Sequence, residues 1–209
     1  MAAQNSFLSH EKGKAAIDLA REAMESYVLN GQREHPGSME DVFYERTGVL
    51  IKLSSTRGRG SVRGSAGSYH RDKQFSEAII DAVIEASEPS SGTSEIEESE
   101  LGSIEITLCA LDSIDEVDNP RAEVEVGRHG LIVETSDESG WMLPTMPVEH
   151  GWSSAEFLDR VCCKAGSCNN GQMGRGSWKE DSVNVYIFEG RVFRERNPGG
   201  GVEEVSLPE

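Results

Sequence analysis

Apolar residues recur at helical spacing in two long stretches. Ala16, Ile17, Ala20, Ala23, Met24, Tyr27 and Val28 step by threes and fours, which predicts a helix from Ser9, a capping residue, to about Val28, ended by Gly31. Phe75, Ala78, Ile79, Ala82, Val83 and Ala86 repeat the pattern over residues 73–87. Between them, GVLIKLS (48–54) is short, branched and apolar, which predicts a buried strand. SVRGSAGSY follows as an extended segment whose glycines bring backbone close to a neighbour. Beyond a polar, acidic stretch at 88–100, Ile104, Ile106, Leu108 and Ala110 alternate with polar positions and predict a strand. RAEVEVGRHGLIVETS predicts two short strands around a Gly-Arg-His-Gly turn. WMLPTMPVEHGW predicts irregular chain, and Ser153 or Ser154 caps a third helix with Phe157, Leu158 and Val161 inward. VNVYIFEGRVFRE predicts a hairpin turning at Glu189-Gly190, and residues 197–209 a frayed, flexible tail.

Strands and helices do not alternate as βαβ units. The expected fold is therefore α+β: one two-lobed domain over residues 1–196, with a mainly antiparallel sheet, about three main helices and a connection near 88–100. A cleft between lobes is the expected ligand site.

Composition adds a surface to this outline. The 209 residues carry 37 Asp and Glu against 20 Lys and Arg, a formal charge of −17. An acid-rich, lysine-poor chain suits a cytoplasmic protein of a high-salt cell, where salt screens the repulsion. No apolar run approaches the roughly 18 residues of a membrane span, and the first residues lack the pattern of an export signal. The four cysteines, 109, 162, 163 and 168, are accordingly expected to be thiols. Their spacing and that of the five histidines define no metal site, and no cofactor fingerprint is present.

One segment opposes the overall charge. From Arg46 to Arg71 there are six bases (Arg46, Lys52, Arg57, Arg59, Arg63, Arg71) and no acid. Glycine lets backbone N–H groups approach an anion, and a guanidinium can fork onto a carboxylate or phosphate. Arg63, Gly64, Ser65 and Gly67 are thus candidate ligand-binding residues for a small anionic molecule. The alternative for Arg63 is an internal carboxylate partner; for Arg57 and Arg59 it is an exposed turn. Nucleic acid is disfavoured, because one basic segment stands against −17 and only Tyr69 could stack there. His129, between glycines on a turn, is the candidate general acid or base, or else a turn-capping residue. Lys164, late in the third helix, is either a cationic ligand contact or a partner of the helix's last carbonyls. Trp141, Trp152 and Trp178 sit in loops or at element ends, as packing lids or ligand contacts.

GVLIKLSSTRGRGSVRGSAGS, VEVGRHGLIVE, WMLPTMPVEHGWSSAEFLDRVCCKAG and the VNVYIFEGRVFRE end, in that order, resemble the blocks of the AMMECR-type domain family. The resemblance covers most of residues 9–196. It implies a two-lobed α+β domain, the larger lobe built from both chain ends, without an established activity. It also implies the company of a Memo-like protein and a radical-SAM enzyme, and hence an alternative role as a non-catalytic adaptor. The family's Leu-Arg-Gly-Cys-Ile-Gly motif reads Val62-Arg63-Gly64-Ser65-Ala66-Gly67 here, so serine stands where the family has cysteine. Thr145 stands where the family has glutamine.

Overall fold

Helix α1 (His10–Asn30) forms because its apolar stripe is capped at both ends. The Ser9 side chain accepts the Lys12 N–H, and Gly31 closes the helix at φ 65°, the left-handed region glycine enters freely. The computed structural model describes residues 8–37, 39–57, 61–90, 93–136, 138–166, 168–169, 172–173, 176–179 and 183–206. Arg59 and much of the 167–182 segment lie outside them. In chain order there follow β1 (Val49–Ser55), β2 (Val62–Ser68), α2 (Phe75–Ser87), β3 (Ile104–Glu116), α3 (Pro120–Glu123), β4 (Gly130–Glu134), β5 (Ser139–Met142), α4 (Thr145–His150), α5 (Ser154–Lys164), β6 (Cys168–Asn169), β7 (Gln172–Met173), β8 (Asn184–Glu195) and β9 (Val202–Glu204). Strands hydrogen-bond in the order β2-β1-β3-β8-β4-β5, with β9 on β8 and β6-β7 apart. The fold is α+β, its registered strand pairs all antiparallel.

The chain divides into two units: residues 1–112 with 190–205, and residues 113–189 with 206–209. The acidic stretch at 88–100 lies inside the first unit. There α1 and α2 cover one face of β1, β2 and β3. Val49, Ile51 and Leu53 of β1, Ala66 of β2, and Ile106 and Leu108 of β3 share one core with Ile17, Met24, Ile79 and Val83. In the second unit, α5 packs Phe157, Leu158 and Val161 against Leu131 and Val133 of β4. Ser153 and Glu156 form a reciprocal capping box at its start.

Five expectations change. Only β4 forms around the Gly-Arg-His-Gly sequence; Pro120 starts the short α3, and the Glu125 N–H is taken by His129 Nδ1 rather than by a strand neighbour. Residues 139–150 are ordered as β5 and α4. VNVYIFEGRVFRE is one continuous strand, β8, with no hairpin. Gly190 serves close approach instead of a turn: a Cβ there would lie 2.4 Å from the Ala110 carbonyl oxygen. The tail contributes β9, which pairs Glu203 with Arg194 and Glu204 with Phe193 in register. Among the cysteines, Cys109 and Cys162 are buried thiols, but Cys163 is disulfide-bonded, against the expectation of thiols throughout. The Cys168 side chain lies outside the described residues. Among the described residues no helix is long and apolar enough to cross a membrane.

Candidate functional site

The glycine-rich segment is strand β2, and its glycines face protein. A Cβ on Gly64 would sit 1.8 Å from the Ala86 carbonyl oxygen of α2. One on Gly67, at φ 143°, would sit 2.1 Å from the Val49 oxygen of β1. The close neighbours these glycines admit are a helix and a strand. Arg63 donates Nε and Nη2 to the two carboxylate oxygens of Glu100, each at 2.9 Å. That fork lowers the Glu100 pKa and raises that of Arg63. Arg63 Nη2 also reaches the Glu95 carbonyl. Arg46, Arg57 and Arg71 donate to the carbonyls of Asp72, Ser99 and Asp112. The basic segment thus ties loops to the sheet with its arginines.

The face of this sheet turned away from α1 and α2 carries a different set. Strand residues alternate sides, so Lys52 points opposite to Ile51 and Leu53. Lys52 pairs directly with Ser65 of β2 and with Thr107 of β3. Directly opposite residues share a face, with Cβ atoms about 4.5–5.5 Å apart. Ser65, Lys52 and Thr107 therefore form a row across three strands. The next row one way is Gly67, Leu50 and Cys109, with Leu50 and Cys109 wholly buried. Burial pushes the Cys109 thiol pKa well up, so it is inert as a nucleophile. The next row the other way holds Ser54 opposite Glu105. Thr107 is only 3% exposed.

In the second unit, His129 is buried. Its Nδ1 accepts the Glu125 N–H at 3.1 Å, its own N–H returns to the Glu125 carbonyl, and Nε2 lies 3.7 Å from Glu189. An Nδ1 that accepts must carry its lone pair, so the neutral ring holds its proton on Nε2. The two reciprocal bonds lock a turn. Arg128 bridges the same two acids. Lys164 donates to the Trp141 carbonyl at 3.1 Å and lies over its ring at 4.3 Å. Trp152 stacks on His150 and carries the Arg160 guanidinium at 4.0 Å. Trp178 donates to Asp159 and borders a polar cavity of about 530 Å³ with Asn119 and Arg121. Thr145 is buried with its hydroxyl unpartnered among the described residues. Arg63 belongs to the first unit and His129 to the second. Among the described residues no cluster of His, Cys, Asp and Glu has the makings of a metal site.

The signal for Lys52 and Thr107 was a lysine inside an apolar strand and a threonine in an alternating one. What joins them to Ser65 is register, which the sequence does not display.

An antiparallel sheet with helices on one face, interrupted between β3 and β8 by a second α+β unit, defines the class of protein. The AMMECR1 family model matches residues 17–193, and the chain belongs to the AMMECR1 family. It is 43% identical to a protein of Halobacterium salinarum, over 92% of each chain, and 33% identical to one of Methanopyrus kandleri, over 97% of each. An uncharacterized protein of Pyrococcus horikoshii has a similar crystal structure, with TM-score 0.83 and 28% identity over 96% of this chain and 100% of that one.

Serine at the family's cysteine position gives a direct probe of the row. Ser65→Cys places a thiol opposite Lys52, and a neighbouring cation favours the thiolate. The expected result is iodoacetamide labelling at residue 65, read by peptide mass, with an apparent pKa below the ordinary value of about 8.5. Adding Lys52→Met is expected to return that pKa to about 8.5 or above. An unchanged value would mean that Lys52 does not electrostatically serve position 65.

Proposed function

We propose that the first unit binds a small anionic molecule on the outer face of its sheet, around Lys52. The lysine supplies the counter-charge, and the Thr107 and Ser65 hydroxyls supply flanking hydrogen bonds. The observation that carries this reading is the row itself: Lys52 stands in register between Ser65 of β2 and Thr107 of β3, a lysine flanked by two hydroxyl residues. Arg63 is forked onto Glu100, and Lys52 is the base in register with both hydroxyl residues. The carbonyl contacts of Arg46, Arg57 and Arg71 leave nucleic acid without support. The acid-rich composition and the Halobacterium salinarum relative support a surface suited to high salt, which sets the assay medium.

The test is unbiased metabolite co-purification with mass spectrometry from cells grown in high salt. Wild type and Arg57→Ala are expected to retain a common anionic compound that Lys52→Met loses by about tenfold or more. Equal retention by all three proteins would remove Lys52 from the site, and no retained anion from wild type would count against the reading itself.

A further inference from the structure

We infer that the polar cavity of the second unit binds a neutral polyhydroxylated molecule, a sugar or polyol. The cavity lies in a different unit from the Lys52 row and does not depend on the anion-site reading. Its volume is about 530 Å³. A water molecule takes about 30 Å³ of liquid, so the space suits about 15–20 non-hydrogen atoms, the bulk of one or two sugar rings. The pieces of chain that frame it are tied down. Val117 donates its N–H to the Val185 carbonyl at 3.0 Å, which joins the end of β3 to β8. Pro120 opens α3, and the Asn119 N–H donates to the Glu123 carboxylate at 2.8 Å. The Trp178 indole packs on the second unit's core and donates Nε1 to Asp159 at 3.1 Å. A ligand therefore meets walls that are already set, which lowers the entropic cost of binding.

The lining combines apolar surface with charges of both signs. Val117, Pro120 and Val185 are buried, and half-buried Trp178 adds indole surface on which the C–H face of a sugar ring can pack. Around them stand Glu116, Asp118, Arg121 and Lys179, all exposed. Among the described residues no ion pair joins these acids to these bases. Their formal charges cancel, so the site favours neither sign. An anion would meet two carboxylates, and a cation would meet a guanidinium and an ammonium. A hydroxyl both donates and accepts. Arginine and lysine only donate, ionised carboxylates only accept, and the carboxamides of Asn119 and Asn184 do both. A polyol uses all three kinds of group, whereas a ligand of one sign leaves some of them opposed. The medium favours the same choice. In molar salt the screening length is about 3 Å, so hydrogen bonds and packing discriminate where distant charges do not.

The experiment is calorimetric titration of the full chain, in low and in molar salt, with glucose, galactose, mannose, N-acetylglucosamine, maltose, trehalose and myo-inositol. Glucuronate, glucosamine and glycine are titrated beside them as the anionic, cationic and zwitterionic comparisons. At least one neutral compound is expected to bind with a Kd of about 1 mM or tighter, and about tenfold more tightly than any of the charged three. Its affinity is expected to change by less than about twofold between the two salts. Asp118→Ala and Arg121→Ala alter exposed side chains, and each is expected to weaken binding about tenfold with the urea midpoint unchanged. Lys52→Met is expected to leave this binding intact, which separates the cavity from the outer face of the first unit's sheet. The inference is overturned if no neutral compound binds, if a charged compound binds as tightly, or if both cavity variants bind like wild type.

Discussion

Gly64→Ala will strip helix α2 from its strand. The added methyl would lie 1.8 Å from the Ala86 carbonyl oxygen and 2.9 Å from its carbon, both backbone atoms that no rotamer change can move. Relief requires α2 to lift from β2, and α2 carries Ile79, Ile80 and Val83 at the centre of the first unit's core. Overpacking a core commonly costs about 1–3 kcal/mol; a clash with main chain belongs at or beyond the upper end, and we expect about 3 kcal/mol or more. Gly37→Ala is the control, because a Cβ there meets nothing within 4 Å. Urea denaturation in constant salt reads the result. A Gly64→Ala midpoint within error of that of Gly37→Ala would mean that β2 and α2 are not so closely packed.

That glycine shows what was legible in the chain and what was not. The two long helices were, because periodicity and the caps Ser9 and Gly31 are local properties. So was the close approach of backbone at β2. What approaches it was not: the neighbour of Gly64 is Ala86, and only the folded chain joins them. Glu189-Gly190 reads as a turn because glycine has more than one use, and here it admits the Ala110 carbonyl within β8. The site divides in the same way. Arg63 was visible as a base among glycines, but its partner Glu100 stood in what read as a solvated acid run. Ser65 was visible through the family motif. Lys52 and Thr107 join Ser65 only through the register of three strands, and a one-residue slip of β1 would send Lys52 to the other face.

Arg21→Met is the second substitution with a large expected effect. Arg21 and Glu195 are 9% and 2% exposed. The guanidinium donates Nε to Glu195 at 3.0 Å and Nη2 to the Ile104 carbonyl at 2.7 Å, which fastens α1 to β3 and β8. Glu195 also accepts the Ile106 and Gly199 N–H groups. Removing the arginine alone leaves a buried carboxylate with two amides and no cation, a loss of about 3–5 kcal/mol. Arg21→Met with Glu195→Leu removes both charges, and apolar replacement of a buried pair is often close to neutral. Here it strands the Ile106 and Gly199 amides, so recovery should be partial. The double variant should therefore be more stable than the sum of the two single losses by about 1–3 kcal/mol in denaturant titration. Simple additivity would mean that the two side chains do not act as a pair. Salt separates this pair from those on the surface. Arg33 and Asp81 face water and are screened within a few ångströms in molar salt, whereas the buried contact is not. The Arg21→Met loss should thus persist from low to high salt, even on a chain of charge −17.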